Sequence, residues 1–84
     1  MTEQRAKQVA QIINTAYTTN QAEAQRHGNT WIVALGPDYG KWYPILHDLI
    51  KMIVEVTKDS LGYTVGFSPP SKVASIHFHD YPQL

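Results

Sequence analysis

Apolar side chains in the N-terminal segment recur at steps of three and four residues, which places them on one face of an α-helix. The pattern predicts an amphipathic helix with Thr2 as its N-cap and Gly28 as its C-terminal stop. After Tyr17 the stripe weakens, and "NQAEAQRHG" offers only alanines for burial. One long helix, or two helices broken near residues 18–20, both fit, with the second half exposed to solvent or to a partner. The stripe consists of Ala6, Val9, Ala10, Ile13, Ala16 and Tyr17.

The segment "TWIVALG", from Thr30 to Gly36, is rich in β-branched and aromatic residues and predicts a β-strand. Its apolar side chains fall on both faces, so we expect this strand to be covered on both sides. The next stretch, "GPDYGKWYP", predicts a turn because it combines proline, aspartate and glycine.

The stretch between Pro44 and Gly62 has apolar positions at helical spacing over several turns. Pro44 suits the first turn of a helix, and Gly62 suits the position after its last turn. However, "MIVEV" alternates and is β-branched, so a strand over residues 52–57 is the alternative. We predict the helix, because the longer pattern outweighs the local β-propensity. The helical stripe comprises Leu46, Leu49, Ile50, Ile53 and Thr57.

Two segments near the C-terminus, "YTVGF" and "KVASIHFHD", predict a β-hairpin. The prolines of "SPPS" between them exclude a helix and mark the turn. Alternation places Tyr63, Val65 and Phe67 on one face of the first strand. The second strand carries Ala74, Ile76 and Phe78 on one face, and Val73, Ser75, His77 and His79 on the other.

Together these elements predict a single α+β domain over residues 1–84. The expected order is α-β-α-β-β, with a three-stranded sheet and the helices packed on one of its faces. The other face and a free strand edge would then form a partly apolar surface suited to a partner or to a second copy.

Composition narrows the classes of function. The chain of 84 residues has no cysteine, so it has neither a disulfide framework nor a thiolate metal site. Seven basic residues balance seven acidic ones, without the basic stripe that nucleic-acid binding normally needs. The N-terminus lacks the apolar core of a signal peptide, and the longest apolar run is too short to cross a bilayer. We therefore expect a soluble cytoplasmic protein without membrane or nucleic-acid partners.

Two histidines near the C-terminus, His77 and His79, are the main candidates for chemistry. At alternate positions on a strand, their imidazoles would project in parallel and suit a transition metal, or they would only form the polar face of an edge strand. General acid–base catalysis on RNA is a further interpretation, with Lys72 and Tyr81 supplying a cation and a phenol. A small RNA-directed or metal-dependent hydrolase is thus the alternative function. A third metal ligand would come from Asp80, Asp48 or His47.

The aromatic loop "PDYGKWYP" is the stronger candidate for binding. Tyr39, Lys41, Trp42 and Tyr43 lie within five residues, and tyrosine and tryptophan dominate binding hot spots. The simpler interpretation is that Trp42 and Tyr43 cover the core where a helix follows the strand. A further alternative is a small-molecule binder with Trp31, Trp42 and Tyr43 as the walls of a pocket.

No nucleophile elbow, phosphate-binding glycine loop or zinc-protease helix is present in the sequence. The sequence therefore predicts a small non-enzymatic accessory or inhibitor that acts by direct protein–protein contact, as a homodimer and without a cofactor. Small inhibitors encoded by phages and mobile elements share this size and composition, which is an analogy without a motif behind it.

Overall fold

The computed structural model describes residues 1–36, 38–68 and 73–80 of the chain. Within these residues the domain belongs to the α+β class, as the sequence predicts, with one pair of strands after the first helix and a second pair after the last. The elements are α1 (Glu3–Ala16), β1 (Ala22–His27), β2 (Thr30–Leu35), α2 (Tyr39–Trp42), a 3-10 turn (Tyr43–Ile45), α3 (Leu46–Thr57), β3 (Leu61–Ser68) and β4 (Val73–Asp80).

The strands of the described residues form one four-stranded antiparallel sheet in the order β1-β2-β4-β3. The prediction of three strands in the order α-β-α-β-β is therefore wrong. Residues 22–27 form β1, not a second half of the first helix, and they pair with β2 along their whole length. Gly28 and Asn29 make the two-residue turn between the strands, and Gly28 has a φ of +64°, which glycine adopts readily.

Helix α1 begins as predicted, because the Thr2 side chain accepts a hydrogen bond from the Arg5 backbone N–H. It ends at Ala16, well before the predicted stop at Gly28. Thr18 takes a φ of +51° and turns the chain out of the helix toward β1. The break falls at the edge of the predicted 18–20 region, but the chain continues from it into a strand, not into a second helix.

Helix α3 confirms the prediction of a helix, including residues 52–57. Three residues of its predicted stripe, Leu46, Leu49 and Ile53, are buried. Its left-handed C-cap is Lys58, with a φ of +62°, whereas Gly62 lies within β3. Tertiary packing of the stripe thus outweighs the β-branched run, as the longer pattern indicates.

The buried side chains of the described strands lie on one face of the sheet, against the helices. The prediction that β2 is covered on both sides is wrong: Ile32 and Ala34 lie on the other face, where the flanking strands leave them half-buried. None of the helices in the described ranges has the length and apolar character needed to span a bilayer. The buried strand residues are Ala22, Val33, Leu35, Leu61, Ile76 and Phe78.

Candidate functional site

Two apolar rows cross the helix-covered face of the sheet and end in exposed side chains on β3. In the first row, Val33 faces Phe78 across one strand pair and Phe78 faces Tyr63 across the next. Val33 and Phe78 are fully buried, whereas Tyr63 is 43% exposed. The second row ends in Val65, which is 36% exposed. It runs through Leu35, Ile76 and Val65.

The last side chain of each row is exposed because it lies on β3, an outer strand of the sheet. Helix α1 packs over β1 and β2, α2 packs against β4, and α3 contacts β3. Leu61 at the start of β3 is buried, but Tyr63 and Val65, further along the same face, are not. The helical layer is thus too narrow to cover the last strand of the sheet.

The aromatic loop adds two further tyrosines to this region. The rings of Tyr39 and Tyr43 lie 5.1 Å apart, and Tyr43 is 52% exposed. Partial desolvation, and then the nearby phenols of Tyr43 and Tyr63, raise the pKa of Tyr39 above its usual value. Tyr39 therefore lies near both Tyr43 and Tyr63, and we call the surface that these three residues form the tyrosine patch.

The four predicted binding residues, which lie on α2 and directly after it, differ in how far their side chains are buried. Tyr39 and Tyr43 are four residues apart and share one side of the helical turn. Trp42 points inward, is fully buried, and donates a 2.7 Å hydrogen bond from Nε1 to Gln21. Lys41 is exposed, with its Nζ 4.9 Å from the centre of the Trp42 ring. The tyrosines reach the surface, and Trp42 has the core role of the simpler interpretation.

Tyr63 belongs to this surface although the sequence pattern does not single it out for binding. Alternation along β3 places it with Val65 on the face that carries the core residues. Its exposure results from the position of β3 at the edge of the sheet. That position depends on the additional strand β1 and on the order of pairing, which the local pattern does not contain.

The two outer strands differ in charge. Strand β1 carries Glu23, Arg26 and His27, which is the kind of charged edge that prevents pairing with other chains. Strand β3 has eight residues, Leu61–Ser68, and no charged side chain. Its backbone groups on the side away from β4 meet no other strand of the described residues. The tyrosine patch thus borders an uncharged strand edge.

His77 and His79 lie on the open face of the sheet, as the alternation predicts. Asp80, one of the proposed third ligands, lies on the opposite face, 3.3 Å from both Arg5 and the Met1 amino group. His47 and Asp48 belong to α3, which lies on the helical side of the sheet. In the ranges that the structure describes, no three histidine or carboxylate side chains come together to hold a metal. Metal binding by the pair stays a prediction.

The same histidines make short contacts of their own. His77 Nε2 lies 3.0 Å from the Ser75 Oγ, and His79 Nδ1 lies 2.8 Å from the Asp80 carbonyl oxygen. A serine beside a histidine is the beginning of a nucleophile–base pair, but an orienting group and an oxyanion site are also needed for catalysis. Lys72 and Tyr81, the other groups of the hydrolase interpretation, lie outside the described residues. The hydrolase stays a prediction.

The pocket interpretation depends on Trp31, Trp42 and Tyr43 facing a common space. Trp42 has no exposed surface, so it cannot form the wall of a pocket that is open to solvent. Trp31 lies on β2, where its backbone N–H bonds to the Met1 carbonyl oxygen. This arrangement gives the small-molecule binder no support.

No family model, curated protein or solved structure matches the chain. A function must therefore be inferred from the surfaces of the molecule. Of these, the tyrosine patch and the adjoining edge of β3 combine exposed aromatic area with backbone groups that no other strand of the described residues meets.

Proposed function

We propose that this chain is a small non-enzymatic accessory or inhibitor of the cytoplasm that binds a protein partner directly through the tyrosine patch, and that it acts as a homodimer. One observation carries the proposal. The rings of Tyr39 and Tyr43 pack together near Tyr63, which ends an apolar row of the sheet, and Tyr43 and Tyr63 are about half exposed.

Tyrosines suit this role because each offers a large, rigid contact area with a hydroxyl group at its end. Ordering a tyrosine costs little conformational entropy, and tyrosine is enriched among the residues that dominate binding energy. The backbone of Tyr39 and Tyr43 is also held in place before binding, because α2 and the 3-10 turn that follows it are anchored by the buried Trp42. A partner would therefore meet a preorganised surface.

The charge of the chain indicates what kind of partner fits. Basic and acidic residues are equal in number, and the charged residues next to Tyr39 and Tyr43 in the loop, Asp38 and Lys41, are of opposite sign. Such a surface does not attract a phosphate backbone over long distances. It fits an apolar protein surface that offers hydrogen-bond acceptors to the phenolic hydroxyl groups.

The test is partner capture with matched variants. The tagged wild-type protein, the double variant Tyr39→Ser/Tyr43→Ser and the control Val56→Ser are used side by side, and enriched proteins are quantified by mass spectrometry. Val56 is 57% exposed on α3 and thus controls for loss of an exposed apolar side chain elsewhere. An enriched protein is then purified, and its affinity for the three forms is measured by calorimetry.

We expect the double variant to bind at least about tenfold more weakly, because truncation of a hot-spot residue costs about 2 kcal/mol or more. Val56→Ser should bind like the wild type. Circular dichroism must show that all three forms keep their fold. Equal affinity of the double variant and the wild type for every purified partner would refute binding through the patch.

A further inference from the structure

We propose that a second copy of the chain pairs antiparallel with the outer edge of β3, with Thr64 of one copy facing Thr64 of the other. The pairing doubles the four-stranded sheet and brings the two tyrosine patches together. It deepens the proposed function, on which it rests for the role of the joined patches, by giving the homodimer an interface and a register.

The two edges of the sheet differ in how they are protected. A strand edge exposes a row of backbone donors and acceptors that readily pair with another strand, and proteins usually protect such edges with charges or proline. Strand β1 is protected by charges, but Leu61–Ser68 carries none. Two neutral strands of the same sequence approach each other without electrostatic repulsion, so the edge of β3 is compatible with itself.

The sequence of β3 favours one register of this pairing. In a two-fold symmetric antiparallel pair, a residue at the axis faces its own counterpart, and directly opposed side chains share a face. With Thr64 at the axis, Tyr63 faces Val65 of the second copy, and Val65 faces the second Tyr63. Aromatic and β-branched side chains form favourable cross-strand pairs. Gly62 then faces Gly66 of the second copy on the open face, where no side chains collide.

The apolar core also continues across the new strand pair. Phe78 is fully buried and faces Tyr63, and Ile76 is fully buried and faces Val65. In this register the row that ends in Tyr63 continues into Val65 and Ile76 of the second copy. Tyr63 and Val65 of each copy then lie in the middle of a longer apolar row. Pairing thus places each of these side chains beside an apolar neighbour and leaves the outer surface of the row open.

The pairing has a consequence for the proposed partner site. The two Tyr63 side chains are diagonal neighbours across the new strand pair, about 7–8 Å apart. The patches that begin at these residues and continue to Tyr39 therefore become one surface at the centre of the dimer. A partner would contact both copies at once.

Association of the purified chain tests the interface. We expect sedimentation velocity to show a dimer for the wild type at micromolar concentration and a monomer for Val65→Lys, in which a charge would lie opposite Tyr63. The matched control Gln25→Lys places the same charge at an exposed position on the other edge strand, β1, and should stay a dimer. Circular dichroism checks that each variant is folded.

Cross-linking tests the register even if Val65→Lys fails to fold. The chain has no cysteine, so any disulfide in a single-cysteine variant joins two copies. Facing residues of paired strands have Cα atoms about 4.5–5.5 Å apart, within the range that a disulfide spans. We expect Thr64→Cys to cross-link rapidly under mild oxidation. Val65→Cys, diagonal to its counterpart in this register, and Gln25→Cys, on β1, should cross-link far more slowly.

A wild-type chain that is monomeric at high micromolar concentration would overturn the proposal. So would a folded Thr64→Cys variant that cross-links no faster than Gln25→Cys, or more slowly than Val65→Cys. These experiments need no partner protein, and the capture experiment changes Tyr39 and Tyr43 but not β3. Failure of the dimer and failure of the partner site are therefore distinguishable.

Discussion

The indole Nε1 of Trp42 donates a 2.7 Å hydrogen bond to the Oε1 of Gln21, which joins the short helix α2 to the segment before β1. Trp42 is fully buried, and the ring of Tyr17 packs edge-on against it with ring centres 5.5 Å apart. The tryptophan thus connects the end of α1, the start of β1 and the aromatic loop. Its position orients Tyr39 and Tyr43 toward the surface.

We expect Gln21→Leu to lower the free energy of unfolding by about 1–3 kcal/mol, because the buried indole N–H would lose its acceptor. Urea denaturation followed by tryptophan fluorescence measures the change. Gln21→Glu keeps an acceptor oxygen at the same distance and should lose much less. Equal losses in the two variants would mean that this hydrogen bond does not stabilise Trp42.

A second prediction concerns Asn14 on α1, whose side chain forms two hydrogen bonds with the backbone of Ala22 on β1. Its Nδ2 donates to the Ala22 carbonyl oxygen at 2.9 Å, and its Oδ1 accepts from the Ala22 N–H at 3.0 Å. Asn14→Ala leaves both backbone groups unpaired and should cost about 2 kcal/mol of unfolding free energy. Asn14→Asp keeps the acceptor for the N–H but sets a carboxylate oxygen against the Ala22 carbonyl oxygen, so it should cost at least as much. Chemical denaturation gives the order, and a fully stable aspartate variant would contradict it.

A third prediction concerns the close approach of Gly66 to His77 across the open face. A Cβ atom on Gly66 would lie 2.9 Å from the His77 Cε1, which is closer than van der Waals contact allows. Gly66→Ala should therefore destabilise the fold by displacing the imidazole from Ser75. In a His77→Ala background the same substitution should cost about 1 kcal/mol less. Denaturation of the four forms completes the cycle, and strictly additive effects would show that the two residues are not coupled.

Much of the fold can be predicted from the sequence where several signals agree. In α3, an apolar stripe of several turns outweighs a short β-branched run, and the helix forms. In the C-terminal hairpin, alternation assigns His77 and Phe78 to opposite faces, as the strand pairing has them. Strand β1 is hard to predict because its inward residues, Ala22 and Ala24, are small and also suit a helix. The Gly28–Asn29 pair is the one local signal for a hairpin turn at that point.

The candidate site is predictable only in part, for a related reason. Tyr39 and Tyr43 can be selected from the local sequence because the loop around them is rich in aromatic residues. Whether an aromatic ring is exposed depends on contacts far along the chain: Trp42 is buried because Gln21 and Tyr17 surround it. Tyr63 belongs to the patch because its strand is at the edge of the sheet. Edge position is a property of the strand order, which a single strand cannot encode.

The last prediction concerns the raised pKa of Tyr39. Partial desolvation is the main cause, followed by Tyr43 and Tyr63. Because the folded state favours the neutral phenol, the unfolded chain loses this proton first, and the free energy of unfolding should fall as the pH rises from 10.0 through the folded-state pKa. Spectrophotometric titration of tyrosinate measures this pKa, and the transition that is missing in Tyr39→Phe is assigned to Tyr39. We expect Tyr43→Phe/Tyr63→Phe to lower it only part of the way to 10.0, since desolvation remains. If the Tyr39 pKa fell to 10.0 in this variant, the neighbouring phenols would be the main cause of the shift. If the Tyr39 pKa did not change, the three tyrosines would not form one patch.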